Sequence, residues 1–201
     1  MTPSAITIRA FTGAEIRAAI DDLAALRIAV FAAYPYLYDG DVAYEAEYLR
    51  EFIAAPGGVL VAALDGDRIV GAATASPMHA QKAAFRQPFE ARWIDTARLF
   101  YFGESVLLPD YRGRGIGHAF FDHREAQALA QGADAATFAA VVRAADHPAR
   151  PVGYQPLDGF WAKRGYAPVA GLTTELAWQE HGAAGETVNQ MQYWLRRFGE
   201  G

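Results

Sequence analysis

The amino-acid sequence predicts an α/β fold on one mixed sheet. Three observations carry that expectation: strand-like and helix-like segments alternate, one strand pair is joined by a short Gly-containing turn, and a glycine-rich break separates an apolar run from an amphipathic stretch within residues 107–129. With 201 residues, 52% of them apolar, the chain can bury one sizeable core, and a single domain over 1–201 is expected.

Residues Ile6 to Phe11 are rich in β-formers and read as the first strand. Thr12 or Gly13 then precedes a helix with Ile16, Ala19, Ile20, Leu23, Leu26, Val30 and Phe31 at three- and four-residue spacing. After the aromatic run AAYPYLYDG, Tyr44 to Ala54 reads as a second helix, ended by Pro56-Gly57-Gly58. VLVAAL and RIVGAATA, joined by Asp65-Gly66-Asp67, form an antiparallel hairpin. Residues 80–98 are predicted helical, FYFGESVLL is a fourth strand, His118 to Gln131 a helix, and ATFAAVVRA a fifth strand. LDGFWAKRGY is a short helix ending at Gly165; LTTELAW, with Leu172, Leu176 and Trp178 alternating, and VNQMQYWL complete the sheet.

Charge and composition narrow the function. Eighteen basic against 23 acidic residues give a net charge of −5, which lacks the basic footprint of a nucleic-acid binder and suits a cationic small molecule. The chain has no cysteine, so disulfides, thiolate metal sites and a covalent thioester on the enzyme are excluded. MTPSAITIRAF has neither a basic n-region nor a long apolar h-region, and no segment approaches the roughly 18 apolar residues of a membrane span. A cytoplasmic protein without a membrane partner is expected. His118 and His123, five apart, fall on different helix faces, and no metal site is expected. Composition leaves the oligomeric state, a homodimer included, open.

The stretch LLPDYRGRGIGHAFF holds the most chemistry. A strand passing through glycines into a helix leaves backbone N–H groups unpaired where the helix dipole favours negative charge. Gly113, Gly115 and Gly117 allow close approach and positive φ, and Arg112 and Arg114 offer forked donors to phosphate oxygens. Ile116, Ala119, Phe120 and Ala130 have core-like spacing that anchors the helix. A diphosphate is the expected guest. Neither G-x-G-x-x-G nor G-K-[ST] is present, because His118 or Phe120 stands where the third glycine would fall.

What the stretch does match is [QR]-x-x-G-x-[GA], filled by Arg112, Gly113, Arg114, Gly115, Ile116 and Gly117. Here the chain resembles the GCN5-related N-acetyltransferase family, and the order of elements before and after, including F-W-A-K-R-G-Y, agrees over essentially the whole chain. The resemblance implies a mixed, mostly antiparallel central sheet of about seven strands flanked by helices. It also implies acetyl-CoA, or another acyl-CoA, as co-substrate, with the acyl group passing directly to an amine of a small molecule. The pyrophosphate would lie on Arg112–Gly117, and the backbone at Val106, Leu107 and Leu108 would donate an N–H to the thioester carbonyl.

The remaining site residues are less determined. Glu104, a carboxylate in an otherwise apolar strand, is a candidate base, with a solvent-facing position or an Arg partner as the alternatives. It is not a carry-over from the family, whose best-known glutamate aligns three positions earlier, at Tyr101. The frequent tyrosine acid of the F-Y-x-x-x-G form is replaced by Trp161, which cannot donate as a phenol does. Tyr154, in HPARPVGYQPLDG, and His147 are the other catalytic candidates, each equally readable as a loop residue. The acceptor is expected at residues 34–45, where Tyr34, Tyr36 and Tyr38 supply aromatic surface and Asp39, Asp41 or Glu45 could meet a cation, although some of these aromatics cap the core. Two rival functions remain: a serine hydrolase, since GESVL nearly spells G-x-S-x-G but fails at Leu107, and an acyl-CoA-binding module without turnover.

Overall fold

The computed structural model describes residues 5–199. Its element order is β1 (Thr7–Phe11), α1 (Ala14–Ala18), α2 (Ile20–Phe31), α3 (Val42–Ala54), β2 (Val59–Asp65), β3 (Arg68–Pro77), α4 (Ala83–Glu90), β4 (Leu99–Leu107), α5 (Ile116–Ala130), β5 (Ala135–Val141), α6 (Asp158–Lys163), β6 (Ala167–Gln179) and β7 (Glu186–Arg197). The seven strands form one sheet in the order β1-β2-β3-β4-β5-β7-β6, antiparallel throughout except for the parallel β4–β5 pair.

Period-two side-chain alternation explains why β2 is apolar at nearly every position. Leu60, Ala62 and Leu64 pack on Leu23, Leu26 and Leu49 from α2 and α3, whereas Val59, Val61 and Ala63 join Phe120 and Phe121 of α5 on the other face. A third cluster sets Phe85 and Phe89 of α4 against Leu172 and Tyr193. Each such fully buried large side chain contributes about 1.5–3 kcal/mol. Among the described residues no helix is long and apolar enough to cross a membrane.

The expected elements recur with local corrections. The first helix is two, α1 and α2, broken at Ala19 (φ −96°, ψ 4°). Of residues 80–98 only Ala83–Glu90 is α-helical, preceded by a 3₁₀ turn at Met78–Ala80. The helix stops because Ile94 N–H turns back to Phe89 O, and Asp95 Oδ1 then accepts Ala97 N–H at 2.8 Å in a side-chain turn. Ala130 is exposed; the core face of α5 is Ile116, Phe120, Phe121, Arg124 and Ala128.

Candidate functional site

Two irregularities in β4 open the sheet. β4 and β5 pair only over Leu99–Tyr101 with Ala135–Thr137, then separate. One strand earlier, Ala73 pairs with Ser105 and Ala75 with Phe102, so Gly103 and Glu104 share Thr74 as their opposite number and β4 bulges. Position 103 must be glycine, because a Cβ there would run into Thr74 Oγ1. The gap is a cleft of about 690 Å³ that reaches from Phe31 and Tyr36, past Glu104 and Leu107, to Gly115 and Trp161.

Strand alternation fixes which amides face that cleft. Leu108 N–H donates to Val70 O at 3.0 Å, so Val106 also faces β3, and Ser105 and Leu107 turn their N–H groups towards the gap left by β5. Of the expected Val106–Leu108 segment, only Leu107 presents its amide to the cleft. Arg112 Nε donates to Leu107 O at 3.4 Å, on that same side.

The turn into α5 is built as an anion cradle. Gly113 (φ +73°) and Gly115 (φ +80°) hold the left-handed region, and Gly115 is the N-cap with no side-chain cap of its own. Among the described residues no backbone acceptor takes the N–H groups of 113–117, which leaves them for a ligand at the positive end of the helix. Arg112, Gly113, Gly115, Ile116 and Gly117 line the cleft. Arg114 does not: its Nη2 donates to Asp110 O at 2.8 Å and its guanidinium lies 5.1 Å from the Tyr111 ring.

Glu104 faces the α2–α3 side and has an Arg partner. Arg27 Nη1 lies 2.9 Å from Glu104 Oε2, and Arg27 Nε donates to Glu45 Oε2. Burial would lower the Arg27 pKa, but Glu104, with Tyr48 and Glu45, holds it above its ordinary value. Two carboxylates therefore face one guanidinium, and among the described residues Glu45 Oε1 and Glu104 Oε1 are buried without a hydrogen-bond partner. Such a network carries excess negative charge in a low dielectric, a setting that favours a cationic or hydrogen-bond-donating guest. Glu104 also lines a side cavity of about 50 Å³ with Tyr48, Gln81 and Tyr101. Burial pushes the Tyr36 hydroxyl up to about 12 and raises Tyr48 further, so both stay protonated donors.

The other expected residues are only partly gathered. Tyr34, Tyr36 and Tyr154 line the cleft; the Tyr34 ring lies 4.7 Å from Tyr154 and 5.7 Å from His147. His147 Nδ1 accepts Ala149 N–H at 3.2 Å, bracing its own loop. Burial, then the neighbouring Tyr34, raises the Tyr154 pKa. Tyr38 is buried and sits in an isolated bridge with Glu180, outside the cleft lining, and Asp39 faces outward to His181 Nδ1 at 3.3 Å. Neither meets the cleft, because the chain crosses to the β6 edge after Tyr36. Asp41 caps α3, its Oδ1 accepting Tyr44 N–H at 2.9 Å. Trp161 forms the wall near β5, its ring 5.0 Å from Phe138 and 5.1 Å from Trp194. Ser105, the hydrolase candidate, lies inside β4 instead of on a strand-to-helix turn, which removes the elbow geometry.

Four residues of the site were not singled out by sequence reasoning, or not for the contacts they make. Arg27 and Glu45 complete the Glu104 network, and Arg143 pins the aromatic loop through Pro35 O (2.7 Å), Tyr36 O (3.2 Å) and Glu180 Oε1 (2.7 Å). Arg124 is 1% exposed in the cleft floor, its guanidinium 4.5 Å from the Phe102 ring and 4.7 Å from Phe121. Burial lowers its pKa to about 10, which still leaves it a cation at neutral pH. A signal existed for three of them: Arg27, Glu45 and Arg124 each stand four residues from a core position (Leu23, Leu49, Phe120) on an apolar helix stripe.

Comparison with known proteins agrees with this fold. The family model described as Acetyltransferase (GNAT) family matches residues 23–166. No curated protein matches the chain in sequence. Among solved structures, ribosomal-protein-alanine N-acetyltransferase from Brucella melitensis is similar at TM-score 0.59 and 14% identity, over 95% of this chain and 99% of that one. An aminoglycoside 6'-N-acetyltransferase complexed with coenzyme A is similar at TM-score 0.59 and 17% identity, over 95% and 96%. The protein yncA from Salmonella typhimurium, with its cofactor acetyl-CoA, is similar at TM-score 0.60 and 10% identity, over 98% and 96%.

Proposed function

The chain belongs to the acetyltransferase (GNAT) family, and from that premise we propose that it transfers an acetyl group from acetyl-CoA directly to an amine of a small molecule. The observation that carries the amine is the unpartnered Oε1 of Glu104, a buried carboxylate lining the same cleft as the 112–117 turn.

In this reading the free N–H groups of residues 113–117 and the Arg112 side chain take the CoA diphosphate. The Ser105 N–H, beside Glu104, receives the thioester oxygen as charge builds on it, and the Leu107 N–H, about 7 Å further along the strand towards the turn, is left for the amide arm of the donor. Glu104 accepts a proton from the incoming ammonium, directly or through a water, and Arg27 holds its other oxygen in place. The amine nitrogen then bonds the carbonyl carbon and gives up its second proton to water; on collapse the carbon–sulfur bond breaks and its electron pair leaves on sulfur. Tyr154, which stays protonated, and His147 stand behind Glu104 as alternative proton carriers. Tyr34 and Tyr36 flank the acceptor end.

Thiol release from acetyl-CoA, measured over a panel of amines with the product's mass, tests this. Release with at least one small amine is expected. CoA binding without release for any amine would make the chain an acyl-CoA-binding module instead.

A further inference from the structure

Arg124 is a buried charge without a counter-ion. Its Nε donates to Phe120 O at 3.2 Å and its Nη1 to Thr74 O at 3.4 Å, and among the described residues no carboxylate pairs with it. Two carbonyls and the faces of Phe102 and Phe121 offset part of the cost of taking a guanidinium from water but supply no negative charge, so an anion brought by a ligand would be welcomed. Arg124 lines the cleft, and of the cleft-lining residues only Arg112, at the exposed mouth, is also an arginine.

Two independent measures put Arg124 at the reacting end of the donor. Along α5 it lies eight residues past Ile116, about 12 Å at 1.5 Å per residue. Along β4 the bulge at Gly103 and Glu104 directly precedes Ser105, whose amide receives the thioester oxygen in this reading, one to two residues or about 3–7 Å away at 3.3 Å per residue. Thr74, whose carbonyl Arg124 holds, is the residue opposite that bulge. An acyl-CoA anchored at 112–117 therefore brings its sulfur, and not its phosphates, to the level of Arg124.

Resting on the acyltransferase reading, we propose that Arg124 stabilises the CoA thiolate as it leaves and holds that thiolate in the product complex. When the amine nitrogen has bonded the carbonyl carbon and the carbon–sulfur bond breaks, the departing pair resides on sulfur as a full negative charge beside the Arg124 guanidinium. No proton need be delivered at that moment; the thiolate takes one from water after release. Nη2 has no acceptor among the described residues, and one of its N–H groups is enough for a charge-assisted bond to sulfur. Trp161, nearby in the wall, offers only a neutral indole N–H.

The test is titration of the thiol of coenzyme A bound to the full chain, followed by thiolate ultraviolet absorbance against a desulfo-CoA blank. The chain has no cysteine, so the signal belongs to CoA. The bound thiol should ionise about 1–3 pH units below the free one, the usual effect of an adjacent opposite charge. Arg124→Gln should return it towards the free value and Arg124→Lys should keep part of the shift, with CoA affinity followed by calorimetry. If Arg124→Gln does not fold, the wild-type and Arg124→Lys titrations decide. A wild-type complex titrating like free CoA, or an unmoved Arg124→Gln titration, overturns the inference while leaving the acyltransferase reading intact. A preference for succinyl-CoA over acetyl-CoA that Arg124→Gln abolishes, with the thiol titration unmoved, overturns it in favour of an acyl carboxylate. Failure of the wild type to bind CoA overturns both.

Discussion

Glu104→Gln separates catalysis from stability at this site. The side chain is 5% exposed, with Oε2 2.9 Å from Arg27 Nη1 and Oε1 unpartnered. Glutamine keeps the shape: its carbonyl oxygen accepts from Arg27, and its NH₂ takes the position of the orphan oxygen. Arg27 keeps Glu45 as counter-ion, so no lone buried charge is created and the 3–5 kcal/mol of a broken buried pair does not apply. Weakening the Arg27–Glu104 contact from an ion pair to a bond with a neutral acceptor costs about 1 kcal/mol of stability. Turnover should fall roughly 10²-fold, the lower end of a general base's contribution and about 2.7 kcal/mol of barrier, because an amide cannot accept the ammonium proton. CoA affinity should stay near wild type, since the diphosphate cradle is at the other end of the cleft. Steady-state thiol release against pH, beside calorimetry and thermal melting, reads all three quantities. The acidic limb of the rate profile should move or vanish. Retained turnover with an unaltered pH profile would make the carboxylate structural and refute the assignment, and Tyr154 or His147 would then be replaced next.

Gly115→Asp should fold, because nothing lies within 4 Å of a Cβ there and aspartate tolerates φ near +80° at a cost of about 1 kcal/mol. Its carboxylate occupies the anion cradle, so calorimetry should find CoA affinity largely lost; unchanged affinity would place the diphosphate elsewhere. Arg112→Lys should raise the KM for acetyl-CoA, whereas Arg114→Lys should leave it unchanged, because Arg114 is bound to Asp110 O outside the cleft. Arg27→Met leaves two buried carboxylates facing each other and should cost about 3–5 kcal/mol in urea unfolding. Adding Glu45→Gln should recover part of that loss, and strict additivity of the two would show that they do not share a network.

The sequence by itself determined what short windows encode. The hairpin at Asp65-Gly66-Asp67, the apolar run of β2, the alternation in β6 and the glycine turn at 112–117 depend on local backbone preference and side-chain period, and each is visible within a dozen residues. The end of α4 was less legible, since the bond from Ile94 N–H back to Phe89 O leaves no pattern in hydrophobicity. Tertiary structure decided the Glu104 end of the cleft. Arg27, Glu45 and Glu104 meet only because α2 packs over β4 and α3 packs on α2, and sequence shows each as a charge on an otherwise apolar face without naming its partner. The same closure sends Tyr38 and Asp39 away from the cleft and brings Tyr34 beside Tyr154, 120 positions later. Strand order is likewise non-local: β7 inserts between β5 and β6, and it is the divergence of β4 from β5 after three paired residues that opens the cleft. Local geometry is set by torsional preference over a few residues, whereas an ion network or a split sheet exists only once distant segments have given up their solvent to one another.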